Sequence, residues 1–182
     1  MIKKKKRVIV SVGDSMKKIL KMKNNSKGFT LIELLAVIVI LGILMVTAIP
    51  AVTKYINNSK KDTFADSASA YINSARYSLL NDEYSDCVLP AETNQCVYMT
   101  IDNIDIDKGT GKSSYGRDYV STSYVKVTYD GKGLKYEIDL LDSNGNGTTT
   151  LTSEKDLGRD KIKAKSASRT ITPPDNCTKC TK

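Results

Sequence analysis

Apolar and polar positions fall into three successive patterns along the chain. From Leu34 to Thr53, twenty consecutive residues carry no formal charge. At about 1.5 Å per residue, a helix of that length covers roughly 30 Å, the hydrocarbon thickness of a bilayer. In the second pattern Phe64, Ala68, Tyr71, Ile72, Ala75 and Leu79 recur at intervals of three and four. Ser67, Ser69, Asn73, Arg76 and Asp82 mostly take the other faces. This is the stripe of an amphipathic helix. Together the two patterns predict one helix from about Phe29 to about Asn81, apolar all round in its first half and one-sided in its second. Pro50 is expected to kink it, because proline lacks an N–H and crowds the preceding turn; Gly42 weakens it further.

Past Asp82 the period becomes two. Val97, Met99 and Ile101 alternate, as do Val125, Val127 and Tyr129, and then Leu134, Tyr136, Ile138 and Leu140. Asp130-Gly131 separates the last two runs as a turn, and 142–147 (DSNGNG) is a second turn cluster before a Thr-rich segment, 148–152. The pattern predicts an antiparallel meander that buries one face against the amphipathic half-helix. Residues 166–182 read as a polar tail. The expected class is α+β, a long N-terminal helix packed on an antiparallel head. The expected parts are a leader 1–28, an apolar helix 29–53, an amphipathic helix 54–82 and a head 83–182.

Charge sharpens this division. The 182-residue chain has a formal net charge of +8, which taken whole suggests an anionic partner. Residues 1–28, however, hold ten Lys/Arg and one Asp, and the remainder holds 18 Lys/Arg against 19 Asp/Glu. Without its first 28 residues the protein is nearly neutral, and a nucleic-acid reading loses its electrostatic basis. The Lys-rich side of the apolar run is expected to stay cytoplasmic, placing the head outside. Histidine is absent, which excludes Ser-His-Asp and Cys-His catalysis and His-ligated metals.

One carboxylate, Glu33, stands at the start of the apolar run. The stretch Lys27-Gly28-Phe29-Thr30-Leu31-Ile32-Glu33-Leu34-Leu35, followed by Gly42 and Pro50, resembles the N-terminus of the type IV pilin and pseudopilin superfamily. The resemblance covers about residues 27–60. It implies cleavage between Gly28 and Phe29 by a membrane prepilin peptidase, N-methylation of Phe29 and a role for Glu33 in assembly. The charge argument makes that role mechanical. A carboxylate in a membrane helix costs up to ~3 kcal/mol and calls for a partner. Cleavage creates an α-amino group at Phe29 with a pKa near ~8, and the amine of one helix can meet Glu33 of its neighbour and set register. The alternative is a simple anchor whose Glu33 snorkels to the headgroups. A secretory signal is a poorer match, since its apolar region spans only about 7–15 residues. Met22 opens MKNNSKG, a compact basic leader, so translation is expected to start there, with residues 1–21 an extension.

Four cysteines on the outside of a cell predict two disulfides with three possible connectivities. Local pairing, Cys87–Cys96 with Cys177–Cys180, is open. So is the bridging of the C-terminal tail to the 87–96 loop, which the resemblance implies. A four-thiolate zinc site and a redox role for the CxxC are alternatives with poorer spacing and context. Asp142, Asn144, Asn146 and Gly147 match the first half of an EF-hand loop, but its twelfth position is Ser153 and the glutamate comes one place late, at Glu154. A glycine-rich turn is the reading preferred over calcium. Tyr115, Tyr119, Tyr124, Tyr129 and Tyr136 are read as strand packing rather than a ligand surface.

The expected function is that of a prepilin without catalysis or cofactor, a structural subunit of a type IV pilus for adhesion, motility or DNA uptake. Its expected partners are further pilin subunits, minor pilins among them, the prepilin peptidase and methylase, the assembly machinery and the membrane. It is expected as a single-pass precursor and then at the cell surface, in a Gram-positive bacterium on the Lys/Asn-rich style of the N-terminus. The alternative within the same chemistry is a competence or type II secretion pseudopilin. The alternative outside it is a monomeric anchored ligand-binding or redox protein.

Overall fold

A computed structural model describes residues 28–84, 86–93, 95–106, 111–165 and 169–181. Residues 1–27 of the expected leader, with the start expected at Met22, lie outside these residues, as does part of the segment read as a polar tail. The chain divides into two compact units, one up to Ala48 and one from Ile49 to Lys182. In the first, the described residues are a helix start and an uninterrupted apolar helix.

That helix, α1 (Leu31–Leu80), is 50 residues long and agrees closely with the expected span. Pro50 lies inside it, and the helix runs through. Thr47 and Thr53 turn their hydroxyls back onto the carbonyls of Leu44 and Ile49, so these polar side chains are satisfied without leaving the helix. The C-terminus closes with an Asp, not a Gly, in the left-handed region. Asp82 has φ 52°, its N–H donates to the Leu79 carbonyl, and the Glu83 N–H donates to the Ser78 carbonyl. This is the paired closure of a Schellman motif.

The second unit is built on strands β1 (Cys96–Thr100), β2 (Tyr124–Tyr129), β3 (Leu134–Asp139), β4 (Gly147–Thr148), β5 (Thr152–Ser153), β6 (Ile162–Lys163) and β7 (Thr178–Lys179). The main sheet has the order β5-β3-β2-β1-β7; β4 and β6 form a separate antiparallel pair. Register sets Val97 beside Val127, Met99 beside Val125, Val125 beside Ile138 and Val127 beside Tyr136. One face therefore carries a contiguous apolar block. It is buried with Phe64, Ala68, Tyr71, Ile72, Ala75 and Leu79 of α1 in a single core. The period-three-and-four stripe and the period-two runs are the two halves of that core. Two ion pairs also fasten the helix to the head, Asp62 with Arg159 and Arg76 with Glu154; the Arg76 guanidinium lies over the Tyr136 ring.

The expected antiparallel sheet is in fact mixed. β7 lies parallel to β1, with Val97 opposite Thr178 and Tyr98 opposite Lys179. It comes from the segment read as a polar tail. Two residues are too few to show a period, and the strand is held by cross-links on both sides of it rather than by an apolar face.

Candidate functional site

The candidate site begins at the first described residue. Gly28 is open, with no heavy atom near where a Cβ would stand, and Phe29 is 87% exposed. Helix α1 then starts with a reciprocal cap. The Thr30 backbone N–H and hydroxyl both donate to Glu33 Oε2, at 2.8 and 2.9 Å, and the Glu33 N–H donates to the Thr30 hydroxyl at 3.3 Å. This is a capping box, in which two of the unpaired donors at a helix start are satisfied. Thr30 is the residue missed at the sequence level. Its signal in the sequence is T-x-x-E, in which the carboxylate that stands out as a charge in an apolar run is also the acceptor of the cap.

The geometry gives Glu33 a partner within its own chain. A carboxylate at the head of an apolar helix is thereby held by two local donors, which among the described residues engage Oε2 alone. Oε2 faces the helix start. Phe29, the residue on the C-terminal side of the expected scissile bond, is next to Thr30, so a new amine there would form at the same end of the helix.

The apolar surface that follows is not covered. Leu31, Ile32, Ile43, Val46 and Ile49 are each well over half exposed, and the most hydrophobic 18-residue window of α1 has a mean hydropathy of 2.8 with none of it buried. Among the described residues α1 is the one helix long and apolar enough to cross a membrane. An all-round apolar helix left bare in an isolated chain calls for an apolar environment from outside the chain, either lipid or other helices. Gly42 also faces open space.

The remaining candidates lie in the head. The cysteines form two disulfides, Cys87–Cys180 and Cys96–Cys177, both joining the C-terminal segment to the 87–96 loop. Of the open connectivities the tail-to-loop arrangement is the one present; the four sulfurs are thereby engaged, and local pairing is not formed. β7 runs between Cys177 and Cys180, and the Cys180 N–H donates to the Tyr98 carbonyl. The CxxC is a clamp on an edge strand.

The 142–147 loop is a tight turn folded around Asp142, which is 1% exposed. Asp142 Oδ1 accepts from the backbone N–H groups of Asn144 and Asn146, and the Asn146 side-chain amide reaches both oxygens. The Ser113 hydroxyl donates to Oδ2 at 2.8 Å. The carboxylate is thus surrounded by donors from the protein, while Asn144 stands exposed at the surface. Among the described residues no group of three or more Cys, Asp or Glu is arranged to hold a metal ion.

The tyrosines divide by contact. Tyr115 and Tyr119 pack against Phe64, and Tyr119 meets Tyr71 edge-on at 5.6 Å. Tyr124 meets Tyr98 in the same way, on the other side of the sheet from the main core. Burial pushes the Tyr71 phenol up to about 12 and raises those of Tyr115, Tyr119, Tyr124 and Tyr136. Tyr129 is half-buried.

Residues 23–49 match the family model of the prokaryotic N-terminal methylation motif. No curated protein and no solved structure matches the chain. The matched segment contains the Gly28–Phe29 bond, the capping box and the first part of the bare apolar helix, and the rest of α1 packs on a five-stranded mixed sheet. The chain therefore carries the N-terminal methylation motif, the signal of type IV pilins and pseudopilins, on a pilin-like α+β fold, and these support a precursor of that kind.

Proposed function

We propose that this precursor is the structural subunit of a type IV pilus, cut between Gly28 and Phe29, methylated at Phe29 and assembled through its N-terminal helix. The supporting observation is the bare apolar surface from Leu31 to Ile56, which begins inside the methylation motif and contributes nothing to the core of its own chain. In the membrane, lipid covers that surface. In a filament, neighbouring helices cover it, and the exchange between two apolar environments costs little hydrophobic free energy. The direction and register of assembly must then come from polar groups. Glu33 meets this need, with the Phe29 amine of a neighbour as its counter-charge. The parts follow the same logic: a removable basic leader to residue 28, a membrane and filament-core helix to about residue 53, and an extracellular head fixed by two disulfides.

Mass spectrometry of the N-terminus tests this reading in material sheared from the cell surface. A peptide starting at methylated Phe29 in that fraction is the expected result. The same terminus confined to the membrane and wall fraction assigns the subunit to a pseudopilus. An intact Gly28–Phe29 bond in the final protein overturns both and leaves a membrane anchor.

A further inference from the structure

The side of α1 that carries the core does not end where the core ends. Phe64, Ala65 and Ala68 are buried in it. In the turns before them, the same side of the helix carries Lys61, Asn58, Asn57, Lys54 and Thr53, at spacings of three and four. These five residues line an open hollow of about 550 Å³, with Ala164, just past β6, opposite. The stripe thus changes from apolar to polar on the N-terminal side of the core. Val52, Tyr55 and Ile56, exposed and apolar, lie on the other side of the same turns and take no part in the hollow.

The hollow is cationic. From Pro50 to Lys61 there are three Lys and no Asp or Glu, and from Lys161 to Lys165 there are again three Lys and no acid. Lys54 and Lys61 are two turns apart, about 10 Å along the axis, with the two Asn between them. Lys163 and Lys165, both exposed, flank Ala164 on the opposite wall. Among the described residues, none of these four Lys has a carboxylate within ion-pair distance. The acids that adjoin the two runs are engaged, Asp62 with Arg159 and Asp160 with Lys161. Lys60 is not counted among the free cations, since its ammonium lies over the Tyr115 ring.

Position along the chain names the anion. Lys54 is the first charged residue after the uncharged run from Leu34 to Thr53, which matches the hydrocarbon thickness of a bilayer. The hollow therefore begins where the chain leaves the hydrocarbon, at the depth of the lipid phosphates. Tyr55, on the apolar side, suits the same depth, because tyrosine rings settle at the headgroup level. Lysine ammonium groups donate to phosphate oxygens as point charges, and the amides of Asn57 and Asn58 add neutral donors between them. We infer that this hollow takes the phosphodiester headgroup of an anionic phospholipid from the leaflet on the head's side. The grip holds the head at a fixed height and rotation over the bilayer. Only the membrane-held state is required, so pilin and pseudopilin are covered alike, and the outcome is separate from that of filament assembly.

The test is hydrogen exchange of the full chain in lipid nanodiscs, read on residues 160–165, which belong to the head and not to the apolar helix. In phosphatidylglycerol discs this segment should exchange about threefold or more slowly than in phosphatidylcholine discs, since each Lys near an anionic surface is worth about fivefold in binding. Lys54→Gln/Lys61→Gln should abolish the difference. Lys54→Arg/Lys61→Arg, which keeps the charge, should retain it. So should Lys132→Gln/Lys179→Gln, which removes as much charge from two exposed positions elsewhere on the head. The basic leader is common to all these chains and drops out of the comparison. Equal exchange of the unaltered chain in the two lipids overturns the inference. So does a difference that survives in Lys54→Gln/Lys61→Gln, or one lost equally in Lys132→Gln/Lys179→Gln. Slowing in phosphatidylcholine discs by inorganic phosphate or a DNA duplex, to the extent that phosphatidylglycerol gives, would make the hollow a general anion site and overturn the lipid.

Discussion

At the scale of single residues, Glu33 has two roles that one substitution can separate. As a cap it needs only an acceptor for the Thr30 donors; as a register element it needs charge. Glu33→Gln keeps the first and removes the second. The precursor should insert and be cut as before, while sheared filaments fall by about tenfold or more, since the amine of a neighbour would be buried without a counter-charge. Filaments at the normal yield would show that the carboxylate is only a cap. Asp139 raises a different question. Burial pushes its carboxyl above the ordinary value, with Arg169 and the Thr148 hydroxyl opposing that push. A carboxyl raised on folding binds its proton more tightly in the native state. Its contribution to stability is therefore greatest below the unfolded value, ~3.9, and is lost as pH rises through the folded value. Arg169→Met removes the opposing charge and raises the carboxyl further. Because the pair is partly open to solvent, the loss of stability should be about 2 kcal/mol near neutral pH, less than for a fully buried pair. The deficit should shrink as pH is lowered and the raised Asp139 carboxyl takes up its proton. Urea melts at neutral pH and at the acid end of that titration measure it, and an equal deficit at both would show that Arg169 acts through packing alone.

At the scale of elements, the two disulfides close long loops, with sequence separations of 93 and 81 residues, and fix a strand that has only two residues of ladder. Cys96→Ser/Cys177→Ser should cost about 2–4 kcal/mol, chiefly by freeing the unfolded chain. It should also expose the Cys180 amide, now bonded to the Tyr98 carbonyl, to exchange before the rest of the sheet opens. A variant with full stability and a protected Cys180 amide would mean that Cys87–Cys180 suffices to hold β7. These short elements also mark where the sequence was hard to read. α1 was legible because fifty residues repeat one pattern, and β1 to β3 because five or six residues each alternate around valines and isoleucines. β4 to β7 have two residues each, too few for any period, and their places are set by partners far along the chain. Four cysteines allow three pairings whatever their spacing, so the clamp became readable only in three dimensions. At the site, the motif could be read from Gly28 to Pro50 because its residues are local. The capping box is equally local, but sharing Glu33 with the assembly motif concealed it. The calcium-like loop shows the reverse case: its spacing invited a cation, yet the donors that surround Asp142 include the Ser113 hydroxyl, 29 residues away.

At the scale of the whole chain, the buried core and the exposed apolar surface are drawn from different residues. The core begins at Phe64, and every side chain in it lies in the unit that starts at Ile49. The bare apolar run ends by Ile56. The apolar run therefore contributes no burial to the fold and serves only whatever surrounds it. A chain beginning at Thr53 should then be soluble and monomeric, with both disulfides formed. It should melt within about 5 °C of the complete chain in detergent, since a surface change away from the core stays within about 0.5 kcal/mol and each kcal/mol shifts a domain of this size by about 4 °C. The complete chain without detergent or membrane should associate, because its exposed apolar patch far exceeds the few hundred Å² that soluble monomers tolerate. Sedimentation velocity and thermal melts on the two chains decide the matter. If the shorter chain melts far below the longer one, the helix start would be part of the folding unit, and its release from lipid into a filament would disturb the head. A melt that is unchanged supports a head that stays folded while its helix exchanges one apolar environment for another, which assembly from a membrane requires.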